Sequence, residues 1–108
     1  MKHVILCKLK VDGATARKAL RLKHLEYIDE HKSKILAGGP ALSDDSAPWM
    51  MILFTNLTDR QEAEDFIRHE PYTASGQVFE SVEVHPWSQV LPEPVAGSLQ
   101  AEITRERE

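Results

Sequence analysis

The sequence has a single cysteine, Cys7, so no intrachain disulfide bond is possible. Lone thiols are typical of a reducing compartment, and we therefore expect a cytoplasmic protein. No apolar segment approaches the roughly 20 residues that a membrane-spanning helix requires. The apolar run after Lys2 is only about as long as a strand, so the sequence predicts neither a signal peptide nor a role at a membrane.

The chain also has fewer positively than negatively charged side chains. The net charge is −4 over 108 residues, and Lys and Arg are interleaved with carboxylates along the chain. Nucleic acids and anionic membranes both call for clustered Lys and Arg, so we expect neither as the main partner. With 42% hydrophobic residues, the composition is that of one soluble domain with a modest core.

Sequence motifs for bound cofactors are absent as well. The chain has no phosphate loop, no dinucleotide fingerprint and no Gly-x-Ser-x-Gly. His24 and His31 share a helical face but lie about 10.5 Å apart along the axis, too far for one metal ion. The other three histidines show no ligand spacing. We therefore expect no cofactor and no metal, and acid–base chemistry if the protein is an enzyme.

Apolar runs and helical patterns alternate along the chain. Strands are predicted over about 3–9, 34–43, 49–55 and 79–90, helices over 15–31 and from Thr58, and a single extra turn over 71–75. Asp12 or Thr15 is expected to cap the first helix. Thr58 and Gln61 have the spacing of a capping box for the second helix.

The order of these elements is β-α-β-β-α-β. Right-handed crossovers then predict an α+β, ferredoxin-like sandwich with an antiparallel sheet in the strand order 4-1-3-2. Strands 1 and 3, which would be central, are the two continuously apolar runs. Helices cover only one face of such a sheet, and the other face would leave an apolar patch in a monomer. We therefore expect a homodimer formed through the sheet faces.

Two segments need separate interpretation. Gly38, Gly39 and Pro40 interrupt the second strand, which predicts an edge position or a bulge. Beyond residue 91 the segment PEPVAGSLQAEITRERE is rich in proline and charge. We assign residues 1–91 to one domain and residues 92–108 to a tail that is either disordered or a short exposed helix from about Val95.

His24 lies between Leu20 and Ile28, one turn away on each side, and so falls inside the apolar arc of the first helix. An imidazole titrates close to neutral pH and can act as a general acid or base. A lone histidine on an apolar face is, from the pattern alone, more often a hydrogen-bonded core residue. Both interpretations stay open at this level.

Three blocks of the sequence resemble the YciI-like (YCII-related) family of small dimeric α/β-barrel proteins. They are the stretch from Arg21 to Ile28, the stretch from Lys34 to Leu42, and Glu70-Pro71-Tyr72 followed by Gly76 and FESVEVHPW. The resemblance covers roughly residues 1–91. It implies a ferredoxin-like fold, a dimer built through sheet faces, and an active site centred on a histidine and an acid. A few similar proteins are dehydrochlorinases that act on chlorinated aromatic degradation intermediates.

The histidine of the family corresponds to His24, and its usual Asp-Pro-Tyr corresponds to Glu70-Pro71-Tyr72, so that the acid here is one methylene longer. The resemblance thus implies a catalytic pair of His24 and Glu70. Tyr72 would donate a hydrogen bond to a substrate oxygen, or would only pack with its hydroxyl satisfied. The sequence alone favours a solvated carboxylate at a helix end for Glu70.

The rest of the expected site consists of Gly39, Pro40 and Arg21. The Gly-Gly-Pro backbone would come close to a ligand, or would only bend the strand. Arg21 would pair with an acidic substrate, or would be a solvated surface group. The first hypothesis is a lyase- or hydrolase-type enzyme for elimination, isomerisation or hydrolysis of a small molecule, either neutral or anionic. The alternatives are a non-catalytic metabolite-binding dimeric module and an oxygenase, either cofactor-free or haem-using.

Overall fold

The chain alternates strands and helices in the predicted order. A computed structural model describes residues 1–108. Its elements are β1 (Lys2–Leu9), α1 (Ala14–Glu30), a 3-10 turn (Lys32–Lys34), β2 (Ile35–Leu42), β3 (Pro48–Thr55), α2 (Arg60–Arg68), α3 (Pro71–Ser75), β4 (Phe79–Trp87) and α4 (Ser98–Glu106). The short α3 is the predicted extra turn, and it ends at Gly76 in the left-handed conformation.

The four strands form one antiparallel sheet in the order β2-β3-β1-β4, which confirms the predicted topology. The apolar strands β1 and β3 are central, with Ile5 opposite Leu53 and Cys7 opposite Met51. These side chains are buried in one hydrophobic core cluster with residues of α2 and α3. The core therefore occupies the helical side of the sheet, as an α+β sandwich requires.

The two predicted helix caps are wrong. Gly13 occupies the N-cap of α1 and no side chain bonds there. A Cβ at this position would lie 3.1 Å from the carbonyl oxygens of Gln77 and Val78, so the close approach of that backbone favours glycine. In α2 the cap is Asp59 instead of Thr58, and its side chain accepts from the backbone N–H of Gln61. Aspartate caps at least as well as threonine and stands one residue nearer the helix.

The Gly-Gly-Pro stretch lies in the edge strand β2, as expected, but is not itself a bulge. Gly38 and Gly39 pair regularly with β3, and the register shifts fall on either side of them. A Cβ on Gly38 would come within 2.6 Å of the Leu53 side chain. Glycine therefore keeps this part of the helical face of the sheet open.

The face of the sheet away from the helices is apolar at its centre and has no cover. Val4 pairs with Phe54 and Leu6 with Ile52 on this face. All four side chains are partly exposed, and Phe54 makes an edge contact with Trp87. This is the apolar patch that the sequence predicts for a monomer.

The tail ends in α4, which is exposed along almost its whole length. The molecule measures 55 × 32 × 21 Å, and its radius of gyration is 16.2 Å. A compact domain of this length would have a radius of about 13 Å. The domain boundary at residue 91 stays a prediction. No helix in the chain is both long and apolar enough to cross a membrane.

Candidate active site

Glu70 occupies the junction between α2 and α3. Because it precedes Pro71, its backbone is held extended, with φ −66° and ψ 133°, and it becomes the N-cap of α3. One carboxylate oxygen, Oε2, accepts from the backbone N–H of Thr73 at 3.2 Å. The side chain is completely buried. The solvated carboxylate that sequence alone would allow is therefore not what the fold produces.

The other carboxylate oxygen of Glu70 faces His24. The distance from His24 Nδ1 to Glu70 Oε1 is 2.6 Å, which is short for a nitrogen–oxygen hydrogen bond. A carboxylate only accepts hydrogen bonds, so Nδ1 carries the proton and donates a hydrogen bond to Oε1. The neutral ring then has its lone pair on Nε2.

Tyr72 fixes the imidazole from a second direction. Its ring stacks on His24 with centroids 4.0 Å apart and an angle of 8° between the planes. Tyr72 is itself buried and packs edge-on against Phe79. The imidazole is thus held in its plane by Glu70 and on its face by Tyr72. Such double support restricts the rotamers of His24 and pre-organises its free nitrogen.

A cavity lies between α1 and the β2–β3 half of the sheet. Its volume is about 440 Å³, and His24 and Tyr72 both line it. His24 Nε2 and the Tyr72 hydroxyl have no hydrogen-bond partner in the protein, and neither atom is buried, because every buried polar side-chain atom has a partner. Both are therefore available to a ligand in the cavity.

The structure brings five of the six predicted site residues to the wall of this cavity. They are Arg21, His24, Gly39, Pro40 and Tyr72. The sixth, Glu70, lies behind His24 and reaches the cavity only through the imidazole. This geometry places the residues together; their roles in binding or catalysis stay predictions.

Sequence reasoning missed several residues of the cavity wall. Arg17 lies one turn before Arg21, and apolar residues of α1 and the sheet complete the lining. The spacing of Arg17, Arg21, His24 and Ile28 is that of one helical face, so the helical period was a usable signal for Arg17. The sheet residues had no such signal, because their approach to α1 is a property of the folded chain.

Burial and the charge of Glu70 set the ionisation of the surrounding groups. Burial, followed by the negative charge of Glu70, raises the pKa of Cys7 to about 12. The Cys7 thiol is therefore protonated and unreactive at neutral pH. Burial also raises the pKa of Tyr72, against the opposing effect of Arg21 and Arg17 and with a further rise from Glu70. At neutral pH Tyr72 thus keeps its proton and can donate a hydrogen bond.

The other four histidines are engaged elsewhere. His3 bonds the carbonyl of Leu57, His31 donates to the carbonyl of Tyr27, His69 donates to that of Asp65, and His85 pairs with Glu83. No three side chains of the types His, Cys, Asp and Glu are grouped so as to hold a metal ion. Only His24 brings a free ring nitrogen to the cavity wall.

The fold is similar to two solved structures. One is 5-chloro-2-hydroxyhydroquinone dehydrochlorinase (TftG) from Burkholderia phenoliruptrix AC1100, in complex with 2,5-dihydroxybenzoquinone. It is 26% identical, with a TM-score of 0.73 over 82% of this chain and 95% of TftG. The second, protein Atu4242 from Agrobacterium tumefaciens, is 13% identical, with a TM-score of 0.52 over 87% of this chain and 97% of that protein. The second likeness concerns the fold alone.

No curated protein matches the sequence. A family model does. The model of the YCII-related domain matches residues 1–88, which include every strand and helix except α4 and all of the residues around the cavity. The resemblance noted in the sequence is thereby confirmed, and the chain belongs to the YCII-related domain family.

Proposed function

We propose that the protein is a small-molecule enzyme that catalyses proton transfer without a cofactor, and that elimination is its reaction. The observation that carries this proposal is the His24–Glu70 pair. Its buried carboxylate holds the imidazole at 2.6 Å, and the free Nε2 opens into a cavity of about 440 Å³. This volume falls within the range of small-molecule sites, roughly 300–1,000 Å³.

In this mechanism His24 Nε2 is the general base. It takes a proton from the substrate, the released electron pair forms the new double bond, and the leaving group departs with its bonding pair. The imidazolium that results is stabilised by the carboxylate of Glu70 through the same short hydrogen bond. The Tyr72 hydroxyl donates a hydrogen bond to a substrate oxygen on which negative charge develops.

The similarity to TftG supports elimination over isomerisation and hydrolysis. TftG is a dehydrochlorinase, and its whole length is nearly covered by the match. Loss of hydrogen chloride from a ring needs a base and a leaving group, and neither a metal nor a redox cofactor enters its balance. The pair of His24 and Glu70 supplies the base.

The test is chloride release from 5-chloro-2-hydroxyhydroquinone. We expect the wild-type protein to release one chloride per substrate molecule and the His24→Gln variant to release almost none while still binding 2,5-dihydroxybenzoquinone. The matched control is His85→Gln, which changes the exposed histidine of the other His–Glu pair. Absence of chloride release by the wild type, or equal rates in the two variants, would falsify the proposal. Ligand binding without turnover in the wild type would favour the metabolite-binding alternative.

We also propose that two copies associate through the uncovered sheet face. The central side chains of this face, including Ile52 and Phe54, are apolar and partly exposed, and they need a second cover. An isologous dimer would bury the patch on both copies at once. Sedimentation velocity should give a dimer for the wild type and a monomer for Ile52→Asp. A wild-type monomer at micromolar concentration would contradict the dimer.

A further inference from the structure

Two arginines of α1 contribute to the lining of the cavity. Arg17 and Arg21 are one turn apart on α1, on the helical face that carries His24, and both line the cavity. Arg17 is half-buried and Arg21 is exposed. The two charges are therefore close to one another, and like charges one turn apart on a helix destabilise it unless an anion lies near them.

No carboxylate of the protein balances these two charges. Arg60, Arg68 and Arg105 each form a surface ion pair with a glutamate or aspartate on the same helix. Arg17 and Arg21 form no ion pair and no side-chain hydrogen bond. The carboxylate nearest to the cavity, Glu70, is buried and already bonded to His24 and Thr73. The positive charge at the cavity is thus free to act on a ligand.

The field of both guanidiniums reaches the reactive end of the cavity. The positive charges of Arg21 and Arg17 each oppose the rise in the pKa of the Tyr72 hydroxyl. The two arginines therefore act electrostatically on Tyr72, and all three residues line the same cavity as His24.

Much of the remaining cavity lining is apolar. It includes Leu25 and Ile28 of α1, Met51 and Leu53 of β3, and Phe79, whose ring packs edge-on against Tyr72. Gly38 keeps this space open, since a side chain there would meet Leu53. A ligand that fits has a ring-sized apolar body on one side and an acidic group on the other.

We propose that Arg17 and Arg21 form an anion-binding subsite, and that the substrates are small organic anions whose acidic oxygens lie between the two guanidiniums. The inference rests on the proposed function, because it assigns the substrate class of the same cavity. Arg17 and Arg21 bind and orient the substrate, and no proton passes through them. A guanidinium donates in a fixed fork that suits carboxylates and other delocalised oxyanions.

The experiment measures the binding of two probes by isothermal titration calorimetry. The probes are 2,5-dihydroxybenzoate and 2,5-dihydroxybenzamide, which have the same ring and nearly the same shape but differ in charge. The carboxylate should bind the wild type at least about tenfold more tightly than the amide. The Arg17→Gln/Arg21→Gln double variant should lose this preference and bind both probes equally weakly.

The matched control is the Lys18→Gln/Lys23→Gln double variant. These lysines lie on the same helix, are exposed and do not line the cavity, so the change in net charge is the same. We expect the control to keep the carboxylate affinity within about twofold, since distant exposed charges are screened by salt. Equal loss in both double variants would show long-range attraction instead of a subsite. Equal binding of the two probes to the wild type, or no binding of the carboxylate, would overturn the inference.

This outcome is separable from that of the proposed function. The His24→Gln variant should keep the preference for the carboxylate, because His24 does not carry the positive charge of the subsite. A preference for the carboxylate without chloride release would contradict elimination and leave the subsite intact. Chloride release together with equal binding of both probes would contradict the subsite alone.

Discussion

The protein contains two histidine–glutamate pairs that differ in almost everything except their chemistry. His24 and Glu70 are 46 positions apart in sequence and 2.6 Å apart in space, with side chains that are 13% and 0% exposed. His85 and Glu83 are two positions apart on β4 and 3.0 Å apart, with side chains that are 52% and 56% exposed. The first pair joins two helices, whereas the second is a local contact on one strand.

The difference shows that residue type alone does not make a site. An exposed ion pair is screened by water and salt and contributes little free energy. A buried hydrogen bond acts through a lower dielectric constant and is stronger. Only the buried pair also has a stacked aromatic ring, Tyr72, and a cavity beside its free nitrogen. Removing matching groups from the two pairs should therefore give very unequal effects.

The largest difference should appear in turnover. We expect His24→Gln to lower the rate of chloride release from 5-chloro-2-hydroxyhydroquinone by about 10²- to 10⁴-fold, the usual contribution of a general base. His85→Gln should leave the rate within about twofold, because an exposed group far from the cavity contributes little. Initial rates measured with a chloride electrode check both variants. A comparable loss in the two would show that the buried pair has no special role.

A smaller difference is expected in stability. Glu70→Ala removes the cap of α3 and leaves the Nδ1–H of His24 without its acceptor, which together should lower the free energy of unfolding by about 2–4 kcal/mol. Glu83→Ala should change it by less than about 0.5 kcal/mol. Urea unfolding followed by tryptophan fluorescence gives both values. Equal destabilisation by the two substitutions would mean that burial does not increase the contribution of the His24–Glu70 pair to stability.

The smallest expected effect is a dependence on alkaline pH. Burial and the charge of Glu70 raise the pKa of Cys7 from 9.0 to about 12, so the unfolded chain loses this proton first. The folded state then binds more protons than the unfolded state, and stability must fall as the pH rises. The contribution of one such group between about pH 8 and about pH 10 is roughly 1.4 kcal/mol.

Urea unfolding of the Cys7→Ala variant over the same pH range tests this linkage. The variant is expected to be less stable at neutral pH because it leaves a small cavity. Its stability should nevertheless fall less steeply with pH than that of the wild type. An equally steep fall would show that the thiol is not the group that titrates. Glu83 does not contribute to the raised pKa of Cys7. The Glu83→Ala variant should therefore lose stability with rising pH as steeply as the wild type.

Part of the fold and part of the site could be predicted from the sequence, and the features that could not be predicted have physical causes. The element order and right-handed crossovers predicted the strand order correctly, and the continuously apolar runs of β1 and β3 agreed with their central positions. The helical period placed His24 on the inner face of α1. Both helix caps were predicted wrongly, since neighbouring polar residues compete for the same backbone N–H and close backbone contacts override them.

Glu70 was harder to recognise than His24. Pro71 identified a helix start, but the contact with His24 spans 46 residues and was expected only through the family resemblance. Arg17 was missed although the helical period places it on the same face of α1 as Arg21 and His24. Its importance depends on the absence of a carboxylate partner, which becomes visible only when the cavity and its walls are in place.

The central claim is that Glu70 fixes the proton of His24 on Nδ1 and leaves Nε2 free in the cavity. Long-range ¹H–¹⁵N NMR of the imidazole groups distinguishes the two tautomers of a neutral histidine. At a pH where the ring is neutral, we predict that His24 has its proton on Nδ1 and a pyridine-like Nε2, and that the Glu70→Gln variant loses this preference. A proton on Nε2 of His24 in the wild type would contradict the account.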